Sequence, residues 1–194
     1  MNEKYFETIK CLDFEVFNLK YHKKRISNTI GMNINLEEYI YPPNEKLLKC
    51  KVIYDSSGIL DIEYNIYTKK NISNFLIVYD NNLSYCKKSI NRLSIDNLKS
   101  NIIEDEIIII KKGLVTDTSI ANIAIFYNKQ WITPKFPLLI GTTRNRYIDN
   151  NILISKDITV EMLKKSNQIV LLNAMIDFDI IKKYTIKDTK WQTN

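Results

Sequence analysis

A short segment of the chain places an acid close to a turn and to a candidate anion site. Asp117 follows a β-branched run over residues 106–112 that must stop at Gly113, so we expect this carboxylate in the connection to a second strand at 120–127. Further along, Gly141-Thr142-Thr143 precedes a predicted helix. A small-residue turn at a helix start offers free backbone N–H groups to an anion, which predicts a phosphate site. The simpler alternative is that Thr142 caps a surface helix and binds nothing.

Basic residues form two further candidate groups. Lys87 and Lys88 are adjacent, and in isolation such a pair is best interpreted as a solvated basic stretch. His22 and Arg25 are three residues apart and therefore share a face of a helix predicted over residues 18–30. His22 is the only histidine, so we interpret it as a helix-packing residue, and its isolation argues against a metal site or a serine-type triad.

Strands and helices must both be present to position these residues, which predicts an α+β fold. Strand-like runs and turn signals divide the chain into a small N-terminal domain over residues 1–78 and a larger C-terminal domain over residues 79–194. The other predicted strands cover residues 6–10, 48–54, 59–68, 75–79, 130–132 and 169–176. A short helix is predicted at 159–165, and the tail after Tyr184 is expected to be loosely held.

Composition narrows the functional classes. The 194 residues carry a net charge of +6, but the basic residues are scattered among acids, which argues against a nucleic-acid partner. No run approaches the roughly 18–20 apolar residues that cross a bilayer, and the first residues lack a signal peptide's apolar stretch, so we expect a cytoplasmic protein without a membrane partner.

Three cysteines without a CxxC pair indicate reduced thiols. The acidic run at 104–106 is interpreted as a solvated cap before a strand.

Several of these segments together resemble the class IV aminotransferases, a family of pyridoxal phosphate enzymes. The family pattern is a Gly, a Thr or Ser followed by an acid, then Asn with an apolar pair, then Thr-Pro, then Gly-x-Thr-Arg. Its elements fall here on Gly113, Thr116-Asp117, Asn122-Ile123-Ala124, Thr133-Pro134 and Gly141-Thr142-Thr143-Arg144. The family acid is normally Glu, whereas this chain has the shorter Asp117. The resemblance implies a two-domain α+β fold with the cofactor site between the domains, N-terminally shortened because the chain starts almost on its Phe6-Glu7 strand.

The resemblance also implies roles for individual residues. The segment Lys88-x-x-Asn91-Arg92-Leu93 is similar to that of the aminodeoxychorismate lyases, so Lys88 is the implied covalent ligand of the cofactor aldehyde, with Lys87 as its rival. Asp117 would keep the pyridine nitrogen protonated, and Arg25 would contact the phosphate. Thr8 is a candidate for protonating the departing group, although an alternating strand threonine is usually only a strand former. The remaining implied cofactor contacts are Asn122, Thr142, Thr143 and Asn173, the last in an Asn-Ala-Met segment similar to that of the lyase branch.

For function, the resemblance implies a pyridoxal phosphate-dependent lyase that converts 4-amino-4-deoxychorismate to 4-aminobenzoate and pyruvate for folate biosynthesis. It implies a small anionic amine as substrate and a homodimer as the working form. Two alternatives stay open. One is an amino acid aminotransferase of the branched-chain or D-amino acid type, which needs the same residues. The other is an inactive protein that binds pyridoxal phosphate, which the change from Glu to Asp117 leaves open.

Overall fold

The computed structural model describes residues 2–189, which form two compact units. The first unit contains residues 2–69 together with 87–91, and the second contains residues 70–86 and 92–189. The chain therefore passes between the units three times, whereas the sequence predicts a single boundary after residue 78. Each unit has its own sheet and helices, and the predicted α+β class is confirmed.

The first unit is built on an antiparallel sheet. Its strands are β1 (Tyr5–Leu12), β2 (Glu15–Val16), β3 (Leu48–Asp55) and β4 (Gly58–Ile66), and its helix is α1 (Leu19–Ile30). The strand order is β2-β1-β3-β4. A single turn of 3-10 helix at Leu36–Glu38 lies between α1 and β3.

Strand β1 alternates between two environments, as a strand buried on one face must. The buried residues are Tyr5, Glu7, Ile9 and Cys11, and the half-buried residues are Phe6, Thr8, Lys10 and Leu12. The apolar members of the buried set pack with Ile26 of α1 and with residues of β3 in the core. We call the face of the sheet that carries Tyr5 and Glu7 the inner face, and the face that carries Phe6 and Thr8 the outer face.

The second unit contains the remaining elements. They are β5 (Asn74–Tyr79), α2 (Leu93–Lys99), β6 (Glu106–Lys111), β7 (Leu114–Thr118), β8 (Asn122–Tyr127), β9 (Gln130–Pro134), α3 (Thr142–Asp149), β10 (Ile154–Lys156), α4 (Val160–Lys165), β11 (Ile169–Asn173), β12 (Asp177–Ile181) and β13 (Thr185–Asp188). The sheet runs β10-β9-β8-β7-β6-β5-β13, with β11 paired to β8 and β12 paired to β11. Within residues 2–189, no helix is both long enough and apolar enough to cross a membrane.

The burial of both faces of β6 explains why its sequence is a continuous apolar run. Ile108 and Ile110 pack into one core cluster of the second unit, and Ile107 and Ile109 pack into another, so both faces of this strand are buried. The strand then ends in a two-residue hairpin turn in which Lys112 has φ 51° and Gly113 has φ 80°. Two consecutive positive φ angles define the turn type that joins twisted antiparallel strands, which accounts for the predicted stop at Gly113.

The C-terminal expectation was wrong for residues 185–188. Instead of a loosely held tail, they form β13, which pairs in parallel with β5. Asp188 accepts hydrogen bonds from the Tyr79 hydroxyl at 3.0 Å and from Lys164 Nζ at 2.7 Å. These partners are distant in sequence, so the polar composition of the segment could not reveal them. Thr189 Oγ1 also donates to Ile77 O at 3.1 Å, and the rest of the predicted tail, residues 190–194, lies outside the described residues.

Candidate active site

The Lys87-Lys88 pair lies beside the first strand of the first unit. Phe6 N donates to Lys88 O at 2.9 Å, Ile90 N donates to Lys4 O at 3.0 Å, and Tyr5 forms an antiparallel bridge with Ser89. Ser89 N donates to Lys87 O at 2.8 Å, which closes a tight turn around Lys88. The two lysine side chains lie on different faces of the sheet, because the Lys87 amine is close to the Tyr5 ring and the Lys88 amine is close to the Phe6 ring.

Lys88 is the lysine on the outer face. Its Nζ lies 4.6 Å from the centre of the Phe6 ring, on the face that also carries Thr8. Lys87 Nζ instead donates to the Thr29 carbonyl at 3.0 Å and lies 5.4 Å from the centre of the inner-face Tyr5 ring. The structure thus places Lys88 and Thr8 on the same face of the sheet, whereas the Lys87 amine contacts the backbone of α1.

Arg25 and His22 both bind the buried carboxylate of Glu7 on the inner face. Arg25 Nε donates to Glu7 Oε1 at 2.8 Å, and Arg25 Nη2 donates to Glu7 Oε2. His22 Nδ1 lies 2.7 Å from the same Oε2, and burial lowers the pKa of His22, so we assign a neutral ring that donates this bond. Burial alone would raise the pKa of Glu7, but the Arg25 charge and the hydrogen bonds lower it to about 2.

These contacts can be compared with the roles predicted for His22 and Arg25 of α1. His22 is buried and packs in the unit with a carboxylate partner, as expected for a helix-packing residue. Arg25 lies on the opposite face of β1 from Lys88, and Glu7 fixes its guanidinium through two bonds. The phosphate contact of Arg25 stays a prediction. Sequence analysis missed Glu7, although a Glu on the buried register of a strand is itself a signal that a cation must lie nearby.

Replacing Glu7 with glutamine is expected to lower the free energy of unfolding by about 3–5 kcal/mol, because it leaves the buried Arg25 charge without its partner. The wild-type protein should also lose stability as the pH falls from about 4.5 to about 2, since the folded-state pKa lies below the unfolded one. The Gln variant should lose less stability over this pH range, and its remaining acid dependence should come from other carboxyl groups with lowered pKa values, such as Asp55 and Asp105. Urea denaturation at several pH values measures both effects.

The matched control is Glu37→Gln, which removes the exposed partner of Lys23 on α1. Exposed ion pairs contribute little, so this variant should unfold at nearly the wild-type urea concentration. If Glu7→Gln behaved like Glu37→Gln, the buried pair would have no structural importance.

Asp117 lies within β7, which corrects the expectation that it occupies the connection between the strands at 106–112 and 120–127. The connection to β8 is only three residues long, and Asp117 pairs directly with Asn122. Asp117 Oδ1 accepts from Asn122 Nδ2 at 2.6 Å, and Oδ2 accepts from Leu139 N at 2.9 Å. Burial raises the pKa of Asp117 to about 7 despite these hydrogen bonds. A buried acid close to neutrality can become fully charged when a cation binds beside it.

Asn122 links Asp117 to the start of α3. Its Nδ2 also donates to the Leu139 carbonyl at 2.8 Å, and its side chain lies against Gly141, the N-cap residue of α3. A Cβ on Gly141 would lie 1.8 Å from Asn122 Oδ1, so this close approach requires glycine. The structure therefore gives Asn122 a positioning role, and a direct cofactor contact stays a prediction.

Replacing Gly141 with alanine is expected to displace the Asn122 amide and to break its hydrogen bond to Asp117. The loss should be about 1–3 kcal/mol, because a buried carboxylate would lose a donor. Thermal unfolding of the apoprotein measures it. In the double variant Gly141→Ala/Asn122→Ala the clash is absent, so it should be no less stable than Asn122→Ala alone. An additive loss would show that Asn122 is not the residue that excludes a side chain at Gly141.

Helix α3 begins at Thr142, and the capping alternative for this residue is not what the structure shows. Gly141 is the N-cap residue, and no side chain caps the helix. Thr142 and Thr143 are buried, and in the described part of the chain no hydrogen bond engages either hydroxyl. The first backbone N–H groups of a helix also lack intrahelical acceptors. This helix start therefore presents a set of unengaged donors.

Arg144 ties this helix to the end of β9. Its Nη2 donates to the Pro134 carbonyl at 2.7 Å and lies 3.3 Å from Ser155 Oγ. Its Nε is buried without a hydrogen-bond partner among residues 2–189. The Thr-Pro and Gly-x-Thr-Arg motifs are thus parts of one structure, because the arginine of the second holds the backbone of the first.

Comparison with known proteins identifies the family. The sequence profile of the aminotransferase class IV family matches residues 81–184, which is more than half of the chain. The chain belongs to the class IV aminotransferase family. Members of this family are pyridoxal phosphate-dependent enzymes, and this protein is an enzyme of that type.

Three further proteins are similar to this chain. An uncharacterised protein of Haemophilus influenzae is 30% identical over 182 residues, covering 88% of this chain and 96% of that protein. A crystal structure from Haemophilus somnus, provisionally named a 4-amino-4-deoxychorismate lyase, has a TM-score of 0.82 at 29% identity and covers 90% of this chain and 97% of that chain. A Schizosaccharomyces pombe protein, provisionally named aminodeoxychorismate lyase, is 34% identical over 76 residues, covering 37% of this chain and 33% of that protein.

The fold is also similar to that of a crystal structure with lower sequence identity. A Mesorhizobium loti protein, provisionally named an amino-acid aminotransferase, has a TM-score of 0.76 at 14% identity and covers 96% of this chain and 99% of that chain. The predicted class IV aminotransferase-like fold is therefore confirmed.

Sequence analysis of this class IV aminotransferase missed a group of hydrogen bonds close to Asp117, formed by Glu106, Ser119 and Arg92. Glu106 is 1% exposed, which corrects its interpretation as part of a solvated cap. Its Oε1 accepts from Ser119 N at 3.1 Å and from Ser119 Oγ at 2.6 Å, while Arg92 Nη2 donates to Ser119 O at 2.8 Å. Ser119 follows Asp117 by two residues, so Glu106 and Arg92 fix the turn next to the acid.

Asn173 lies in a turn at the end of β11. Its Oδ1 accepts from Met175 N at 2.9 Å and Ile176 N at 3.1 Å, and its Nδ2 lies 3.3 Å from the Ile120 carbonyl. The side chain thus organises its own turn and contacts the β7–β8 connection. Its predicted part in cofactor binding stays a prediction.

Proposed function

We propose that this protein is a pyridoxal phosphate-dependent lyase that converts 4-amino-4-deoxychorismate to 4-aminobenzoate and pyruvate for folate biosynthesis. The observation that carries the proposal is the outer face of the first unit's sheet, which holds both the Lys88 amine and Thr8. An amine that moves protons and a hydroxyl that donates one are the groups this elimination needs. The provisional names of the Haemophilus somnus and Schizosaccharomyces pombe relatives support the same reaction.

The chemistry of the described residues fits pyridoxal phosphate. The start of α3 suits the phosphate, because it has unengaged hydroxyls at Thr142 and Thr143, free N–H groups and the positive end of the helix dipole. Asp117 suits a protonated ring nitrogen, since it is a buried acid that a cation would ionise. Lys88 suits the aldehyde, because it supplies a primary amine on the outer face of the first unit's sheet, 4.6 Å from the centre of the Phe6 ring.

The residues then have separate tasks. When bound, the cofactor supplies an aldehyde for the substrate amine and a ring that accepts an electron pair. Lys88 Nζ removes the proton from the carbon that bears the substrate nitrogen. The Thr8 hydroxyl relays this proton from the Lys88 ammonium to the enolpyruvyl group as its bond to the ring carbon breaks, which releases pyruvate and restores both side chains. Loss of the proton and of the enolpyruvyl group leaves an aromatic ring, 4-aminobenzoate. Asp117 keeps its negative charge beside the ring nitrogen throughout.

Product analysis with the holoenzyme tests the proposal. Incubation with 4-amino-4-deoxychorismate should yield 4-aminobenzoate and pyruvate in equal amounts, measured by chromatography and by lactate dehydrogenase coupling. The parallel reaction contains D-alanine or a branched-chain amino acid with 2-oxoglutarate. If only this second reaction gives product, as a new amino acid, the enzyme is an aminotransferase and the lyase proposal is wrong.

We also propose that the enzyme works as a homodimer, as the family resemblance implies. The second unit exposes large apolar side chains, including Leu93 at 67%, Ile103 at 90% and Phe136 at 65%. Light scattering should give twice the chain mass of 22.9 kDa. A monomer at micromolar concentration would contradict this part of the proposal.

A further inference from the structure

Three lysines lie on the outer face of the first unit's sheet. Lys10 of β1 and Lys49 of β3 are direct cross-strand partners, and Lys51 of β3 is the partner of Thr8. Cross-strand partners point to the same face. These lysines therefore share the outer face with Thr8 and with the Lys88 amine.

Only one of the three has an acidic partner among the described residues. Lys51 Nζ lies 3.5 Å from Glu63 Oε2. Lys10 Nζ lies 5.1 Å from the centre of the Phe17 ring, and within residues 2–189 no carboxylate pairs with Lys10 or Lys49. Like charges directly opposite each other in a sheet are destabilising. A bound anion would relieve this repulsion, so the pair is suited to a carboxylate ligand.

The position of the pair along β1 restricts the shape of that ligand. Strand residues rise about 3.3 Å each, so Lys10 lies about 13 Å along the strand from Phe6, beside which the Lys88 amine lies. Flexible lysine side chains shorten this gap from both ends. In an α-amino acid the carboxylate is on the carbon that bears the amine. When such a substrate binds with its amine at Lys88, its carboxylate therefore stays close to Lys88 and far from the pair. A ring with the amine and a carboxylate on opposite carbons extends the carboxylate toward the pair.

The geometry points to Lys10 and Lys49 as the binding site for a substrate carboxylate remote from the reacting amine. This inference rests on the proposed function and specifies its substrate class as ring amines with a carboxylate across the ring. In 4-amino-4-deoxychorismate the amine and the ring carboxylate have this relationship. Lys10 and Lys49 are therefore specificity-determining residues that select such a substrate over an α-amino acid.

Binding of chorismate to the holoenzyme tests the inference without turnover, because chorismate has the same carboxylates and a hydroxyl in place of the amine. In titration calorimetry, Lys10→Met and Lys49→Met should each raise its Kd about tenfold, through loss of one charge-assisted hydrogen bond. Lys49→Arg keeps the charge and should stay within about threefold of the wild-type Kd. Lys23→Met is the matched control, since it removes an equal charge from the same unit at an exposed pair with Glu37, and its Kd should change by less than about twofold.

An unchanged Kd in both Met variants would overturn the inference, as would a wild-type holoenzyme that does not bind chorismate. A tenfold loss in Lys23→Met as well would also overturn it, because the effect would then be one of net charge. The lyase proposal fails on a different result, the absence of 4-aminobenzoate from 4-amino-4-deoxychorismate. The two outcomes are therefore distinguishable.

Discussion

Replacing Lys88 with alanine is expected to reduce kcat for cleavage of 4-amino-4-deoxychorismate by about four orders of magnitude or more, because the variant loses both its covalent nucleophile and its proton carrier. The outer-face position of the amine, 4.6 Å from the Phe6 ring centre, is the basis of this expectation. Release of 4-aminobenzoate, followed by fluorescence over long incubations, measures the residual rate.

The control for this loss is Lys87→Ala, the neighbouring lysine on the other face. The Lys87 amine donates to the Thr29 carbonyl, so its removal should affect stability more than kcat. We expect activity within about tenfold of wild type, since no reacting group is lost. If Lys87→Ala were inactive and Lys88→Ala active, the assignment of the two lysines would have to be exchanged.

Replacing Asp117 with asparagine is expected to lower kcat/KM by about 10²–10³, because the neutral amide cannot balance a cationic ring nitrogen in a buried site. The substitution keeps the shape of the side chain. In the wild-type protein the two Asp117 oxygens accept hydrogen bonds from Asn122 Nδ2 and Leu139 N. In the variant, the side-chain NH2 group takes the place of one oxygen and therefore faces one of these donors. Asp117→Glu keeps the charge and supplies the family's usual acid, so it should retain more activity than the asparagine variant.

The pH dependence gives a second test of Asp117. Because burial raises its pKa to about 7, the apoprotein should lose stability as the pH rises from about 4 through 7, where the unfolded chain is charged and the folded carboxyl resists charging. Cofactor affinity should show the opposite trend, since only the charged form can pair with a cation. Asp117→Asn should lack both dependences. If the variant titrated like the wild type, another group would be responsible.

Much of the fold follows from local sequence patterns. The runs at 6–10, 48–54, 75–79 and 106–112 became strands β1, β3, β5 and β6, and the helix predicted at 18–30 became α1, because each has a clear period or a clear stop signal. Sequence analysis missed strands β2, β7, β10, β12 and β13. Of these, β12 and β13 are short and polar on alternate positions, and they are strands because of the neighbours they pair with, β11 and β5.

The candidate site was predictable where a motif is contiguous and unpredictable where a partner is distant. The Lys88 segment, the start of α3 and the acid at 117 come from short spacings in the sequence. The partners that orient these residues do not. Glu7 meets Arg25 across 18 residues, and Glu106 meets Ser119 across 13, so only the folded chain reveals them. The cross-strand register of Lys10 with Lys49 likewise depends on a pairing that no local pattern specifies.

Mass spectrometry after borohydride reduction tests the central claim most directly, because reduction makes the bond between an amine and the cofactor aldehyde permanent. The protein is incubated with pyridoxal phosphate, reduced and digested, and the modified peptide is sequenced. We predict a single stoichiometric phosphopyridoxyl group on Lys88. A group on Lys87, modification spread over several surface lysines, or no stoichiometric adduct would contradict the account.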